Sequence, residues 1–184
     1  MLTSRMMKSP LSYIPTLFIL SRKNARDEIM KICKHDLYTG NYLHGKAWSL
    51  EHIVPQSRFK DKSKINDLFN LSAIDVRLNS SRGNKKFGNV MGRDNNYGCK
   101  ASKTLFCPPM GKGEVSRSIA YMIEQYGDLI DLENVIDIET LMTWNELFPP
   151  SDEEKLKNEF VYELQSSYNR FIEDHSLVFD IGLV

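Results

Sequence analysis

Cysteine is scarce in this chain: Cys33, Cys99 and Cys107 are all that it holds among 184 residues. An odd count leaves one thiol unpaired whatever the others do, which excludes the fully stapled scaffold of a small secreted domain. One bridge between Cys99 and Cys107, around a lysine-rich loop, stays open. A zinc site from Cys33, His35 and the later two cysteines is the poorer alternative, because their spacing makes no compact ligand pair. Long apolar runs are missing too, so no segment is suited to span a bilayer and no membrane partner is expected. Residues 11–20 are mostly apolar and follow Arg5 and Lys8, in the manner of a leader peptide. Pro15 interrupts that run, and Ser21-Arg22-Lys23 stands where small residues would mark a cleavage site. The compartment is therefore left open, with an intracellular location preferred.

Net charge is also absent, at zero over the whole chain. That zero hides a division. Residues 1–117 carry 21 of the 24 Lys and Arg but only 9 of the 24 Asp and Glu, and residues 118–184 carry 3 and 15. A basic stretch ahead of an acidic one is a footprint for a polyanion such as nucleic acid. The competing reading is that the two parts neutralise each other across solvated faces. Hydrophobic content of 41% and charged content of 26% are those of an ordinary globular protein. With no internal repeat and no linker, residues 1–184 are expected to form a single domain and a monomer.

The periodicity predicts an α+β fold with a helical C-terminal half. Residues 1–21 read as an arm or first strand. Asn24 is placed to cap a helix over 25–35, and Trp48 to Val54 reads as a strand closed by Pro55. A basic loop over 57–64, a short strand over 68–73 and a helix over 74–81 follow. Residues 83–113 are loop-rich. The helical part, 114–175, opens with an apolar stripe ending at Gly127, a usual stop position. A second helix is predicted over 132–147, before Pro149-Pro150. A third is opened by the capping box Ser151-Asp-Glu-Glu154, with Leu156, Phe160 and Leu164 turned inward.

The chemistry concentrates in Trp48-Ser-Leu-Glu-His-Ile-Val-Pro55. Glu51 offers a hard carboxylate oxygen beside the His52 imidazole, whose ordinary pKa suits a general base near neutrality. Asn79 would lie on the helix that packs on both strands and would add a neutral carbonyl oxygen. Glu51 and Asn79 together favour Mg²⁺, with Mn²⁺ or Ca²⁺ as alternatives, over zinc. Asn70 is given the task of accepting from one imidazole N–H, through its side chain or its backbone carbonyl, and so fixing the tautomer. Such a set suits phosphodiester cleavage. Each residue alone has a duller reading as a strand, turn or helix-end position.

Six blocks occur in order: residues 48–57, 67–73, 79–84, 112–122, 144–154 and 163–172. Together they resemble the bacterial endonuclease I family over roughly residues 20–175. The resemblance implies a ββα-metal, HNH-like nuclease unit over 48–84 that cuts DNA, and often RNA, with little sequence preference and leaves 5′-phosphate ends. It implies His52 as general base, and Glu51 and Asn79 as metal ligands. Asn70, Arg82 and Arg117 match further family positions, the two arginines for phosphate contact or structural pairing. Several secreted members carry a longer insertion after the histidine, with an arginine on the scissile phosphate, and several disulfides. Neither is reproduced here. Arg58, Lys60, Lys62 or Lys64 would have to substitute for that arginine, and Lys85 and Lys86 extend the basic surface. A sequence- or structure-specific nuclease of the same fold (restriction, homing or junction-resolving) and a nucleic-acid-binding relative without turnover are the alternatives.

Overall fold

The computed structural model describes residues 19–183, so most of the expected N-terminal arm lies outside the described residues. The first helix, α1 (Arg22–Ile32), is capped by Ser21, whose hydroxyl accepts from the Asn24 amide at 3.4 Å. The cap thus precedes the expected Asn24 by three residues, and the helix starts earlier. Ala25 and Ile29, one turn apart on the same face, are fully buried.

Strands β1 (Trp48–His52) and β2 (Leu71–Asp75) pair antiparallel, with Glu51 opposite Ser72 and His52 opposite Leu71. β1 stops two residues short of the expected Val54. The reason is Asn70: its backbone carbonyl accepts from Ile53 N–H at 2.9 Å and its side-chain oxygen from Val54 N–H at 2.7 Å. Those amides are spent before the ladder can continue. β2 runs into helix α2 (Val76–Arg82) without a loop, because the Asp75 carboxylate accepts from Arg77 N–H at 2.7 Å and Leu78 N–H at 3.2 Å. Gly83, at φ 55°, ends α2 in a conformation that side chains resist. Asn79 is therefore held at a fixed height beside β1.

Residues 83–113, predicted as loop, contain a small sheet. Strands β3 (Lys86–Phe87), β4 (Lys100–Ala101) and β5 (Leu105–Cys107) lie in the order β3-β5-β4, with β3 parallel and β4 antiparallel to β5. Each strand is too short to show an alternating pattern. All three cysteines are free, so the optional bridge between Cys99 and Cys107 is not made. Among the described residues no three His, Cys, Asp or Glu gather as a metal cluster, which removes the zinc alternative there. No described helix is long and apolar enough to cross a membrane.

Helices α3 (Lys112–Tyr126), α4 (Ile138–Leu147), α5 (Asp152–Gln165) and α6 (Arg170–Glu173) make up the C-terminal part. Gly113 lets α3 start against the 148–149 turn, since a Cβ there would run into the Phe148 carbonyl. Gly127 does not end α3 in the expected way; it stays right-handed and opens a further tight turn, 127–129. The helix predicted over 132–147 divides into a turn at Leu132–Asn134 and α4.

α5 departs most from its expected orientation. Ser151 caps it as predicted, accepting from Glu154 N–H at 3.1 Å, but Leu156 is 65% exposed. The buried face is Glu154, Lys157, Asn158, Val161 and Gln165. Each polar group on it has a partner. Glu154 takes Arg117 at 2.6 Å, and Lys157 Nζ donates to the Leu71 carbonyl at 3.0 Å and to Glu114 at 2.9 Å. Asn158 bonds Asn169, and Gln165 reaches Asp67 at 2.8 Å. Fully satisfied, these groups are tolerated where an apolar stripe was expected.

Asp67 ties this helical part to β1 and β2. Its buried carboxylate accepts from Gln165 at 2.8 Å, Tyr126 at 2.8 Å, Tyr121 at 3.3 Å and Phe69 N–H at 3.0 Å. Burial pushes its pKa up, and these four donors pull it back. The segment next to His52 is thereby clamped from α3 and α5.

Candidate active site

Glu51, His52 and Asn79 line one open cavity of about 330 Å³, at the end of β1 and beside α2. The amide of Asn79 has a defined orientation. Its nitrogen donates to Ser49 Oγ at 2.7 Å and to the Leu50 carbonyl at 3.2 Å. A carbonyl can only accept, so the amide nitrogen must face it and Oδ1 is turned the other way. Both close partners of the Glu51 carboxylate sit at Oε1: the Tyr38 hydroxyl at 2.7 Å and Arg82 Nη1 at 3.2 Å. Burial raises the Glu51 pKa, whereas Arg82 and the Tyr38 hydroxyl lower it. An amide oxygen aimed away from its anchors and a carboxylate held at one oxygen form a hard, all-oxygen donor pair. The chemistry fits Mg²⁺ and its relatives and does not suit a thiophilic metal.

The His52 ring is 6% exposed, and burial lowers its pKa from 6.5 to about 4. Asn66 opposes that shift through its hydrogen bond, and the charges of Arg22 and Arg82 add to it. The imidazole is therefore neutral at pH 7. Nε2 lies 3.4 Å from Asn66 Oδ1, an acceptor that favours the tautomer with its proton on Nε2. The Gln56 amide nitrogen is 3.2 Å from Nδ1 and 3.4 Å from Nε2. An atom so near both ring nitrogens cannot lie along the lone pair of either. The Nδ1 lone pair is thus only loosely covered, and Nδ1 is the basic atom.

Asn70 departs from its expected role, and the two arginines take the structural pairing of their two expected roles. Asn70 does not reach the imidazole: it is fully buried, and its amide nitrogen donates to the Val54 and Ile65 carbonyls. It shapes the chain after β1, while Asn66 holds the ring. Arg82 is 1% exposed and makes a structural pair with Glu51, also donating to the His52 carbonyl at 3.2 Å and the Ile53 carbonyl at 2.6 Å. Arg117 is equally buried, paired with Glu154 and bonded to Asn145 and the Phe148 carbonyl. Neither arginine presents a free guanidinium to a phosphate.

Of the basic residues singled out in the sequence, Arg82 alone lines the cavity; Arg58, Lys60, Lys62, Lys64, Lys85, Lys86 and Arg117 do not. Arg58 pairs with Asp131 at 3.3 Å, and Lys86 with Asp137 at 2.6 Å. Lys60 Nζ bonds the Asp128 carbonyl at 2.9 Å, Lys62 the Gln56 and Phe59 carbonyls, and Lys85 the Ser81 carbonyl at 2.6 Å. Part of the sequence's charge division is thus spent on mutual neutralisation. A larger cavity of about 690 Å³ lies near Cys33, Lys157 and Leu156, away from His52, and its Arg117–Glu154 and Lys157–Glu114 pairs satisfy each other.

Sequence reasoning missed Tyr38, Asn66, Gln56 and Arg22. Gln56 stands inside the Glu-His-Ile-Val-Pro-Gln run and Asn66 beside Asp67, so proximity to a motif was an available signal for both. Tyr38 and Arg22 reach the site only through the tertiary fold.

With the geometry in place, comparison with known proteins adds two findings. The model of one protein family, Endonuclease I, matches residues 16–176. A periplasmic deoxyribonuclease of Aeromonas hydrophila is 30% identical over 114 residues, 58% of this chain and 47% of that protein. The chain thus aligns with about half the length of this curated relative.

Proposed function

From membership of the Endonuclease I family, to which this chain belongs, we propose that it is a metal-dependent endonuclease of low sequence preference. DNA is its substrate, and RNA can be a second. The observation that carries this reading is the convergence of Glu51, His52 and Asn79, each separately anchored, on one solvent-reachable cavity. In it β1, β2 and α2 serve as a ββα-metal unit. Glu51 and the Asn79 carbonyl would hold one divalent cation, Mg²⁺ or Mn²⁺. When bound, the cation supplies Lewis-acid stabilisation of charge on the phosphate and on the leaving 3′-oxygen.

The chain's own residues do the rest. Asn66 fixes the proton on Nε2, which leaves Nδ1 to take a proton from water. As the water oxygen bonds to phosphorus, the bond from phosphorus to the 3′-oxygen breaks. The water's proton resides on His52, the 3′-oxygen takes up a proton from solvent to leave as a hydroxyl, and the phosphate stays on the 5′ side. Arg82 compensates Glu51 and pins the end of β1, so the carboxylate and ring keep their spacing. The name of the Aeromonas relative adds a secreted or periplasmic setting as the counterpart of the intracellular expectation.

The test is direct. Purified protein should convert plasmid DNA to a smear in Mg²⁺ or Mn²⁺, stop completely in excess chelator, and leave ends that a ligase joins without added kinase. Discrete fragments would point to a sequence- or structure-specific enzyme. Cleavage that persists in chelator would refute the metal-dependent reading.

A further inference from the structure

Water attack on a phosphodiester adds negative charge to the non-bridging oxygens, and a cationic side chain facing them is the usual way for a protein to meet it. Two cationic side chains line the cavity, Arg22 and Arg82. Arg82 is committed to Glu51 and to backbone carbonyls. Arg22 differs in every respect. It is exposed, and among the described residues it forms no hydrogen bond or ion pair. It is also close enough to His52 for its charge to be felt at the ring.

Its position is fixed from below. Arg22 is the first residue of α1, which is anchored by buried Ala25 and Ile29. One turn on, the Arg26 guanidinium stacks at 4.0 Å over Trp48, the first residue of β1. The helix is thus registered against the strand that carries Glu51 and His52. A free cation on a rigid mount beside a neutral general base is suited to an anionic substrate, because an arginine fork can contact two phosphate oxygens at once. Arg58, Lys60 and Lys62 are held by other partners and do not line the cavity.

We propose that Arg22 is a catalytic residue that contacts the phosphate under attack and neutralises charge on its non-bridging oxygens. This rests on the nuclease reading above. The bond changes are those already given: water oxygen to phosphorus forms, phosphorus to 3′-oxygen breaks, and the proton passes to His52. Arg22 contributes charge and two donors and exchanges no proton.

The experiment is single-turnover cleavage of a short DNA duplex by excess protein with Mg²⁺, comparing wild type, Arg22→Ala, Arg22→Lys and Lys23→Ala. Duplex affinity is measured in parallel by fluorescence anisotropy in excess chelator, where no cleavage is expected. Arg22→Ala should lower the saturated cleavage rate about 100-fold, with duplex affinity within about threefold of wild type and the melting temperature unchanged. Arg22→Lys should recover part of the rate, added guanidinium ion should partly rescue Arg22→Ala, and Lys23→Ala should match wild type. An unchanged saturated rate in Arg22→Ala would overturn the proposal, as would a loss that higher protein concentration makes good. Inactive wild type would instead remove the nuclease reading itself, so the two failures are distinct.

Discussion

Replacing His52 by alanine should reduce plasmid cleavage by about 100- to 10,000-fold, the range for loss of a positioned general base. DNA affinity and melting temperature should stay close to wild type. The structural cost is small because the ring's polar contacts are two amides, Asn66 and Gln56, that border the open cavity and can turn to water. The pH behaviour follows from burial. Protonating this ring means placing a further positive charge in a poorly hydrated position near Arg22 and Arg82, so the pKa falls to about 4. The base form is therefore present above about pH 4 and lost as pH falls through it, well under the ordinary 6.5. Stability runs the same way. The unfolded chain takes up the proton near 6.5 and the folded one near 4, so the contribution of His52 is complete above 6.5 and declines as pH drops between those values. An NMR titration of the His52 ring protons in chelator checks this; a midpoint near 6.5 would contradict a buried neutral base. Cleavage by His52→Ala at the wild-type rate would remove the residue from the mechanism.

What the sequence disclosed was local chemistry. Glu51 and His52 could be read because they adjoin on one short strand, β1, and Asn79 because it lies on the helix that continues directly from β2, the strand paired with β1. Asp75 then makes that geometry rigid by ending the strand and capping the helix in one residue. Asn66 and Asn70 show where such reading stops. Both are amides beside the same motif, and only the tertiary path reveals which one turns its oxygen to the ring and which is spent on Val54. The face of α5 was misjudged for a related reason. Hydrophobic spacing finds apolar faces, whereas this helix buries Glu154, Lys157, Asn158 and Gln165, each matched to a partner from another part of the chain. Arg22 lay within a stretch whose sequence drew attention to a possible leader, and nothing local to it hints at a cavity formed from residues 50–84.

Arg82→Met should be among the most destabilising substitutions in the molecule. Arg82 holds Glu51 and the His52 and Ile53 carbonyls, and its guanidinium lies 4.6 Å over the Phe87 ring. Methionine fills much of the volume but leaves the 2%-exposed Glu51 carboxylate without its countercharge. Removing one partner of a buried ion pair costs about 3–5 kcal/mol. Arg82→Lys should recover little, because a single ammonium cannot serve a carboxylate and two carbonyls that a planar fork reaches together. The decisive measurement is the melting temperature of wild type and Arg82→Met, each in chelator and in Mg²⁺. A cation held by Glu51 binds the folded state alone and supplies the charge that Arg82 no longer provides. The penalty of the substitution should therefore be larger in chelator than in Mg²⁺. An equal penalty in both would mean that no cation binds at Glu51, and the metal-dependent reading of the site would lose its ligand.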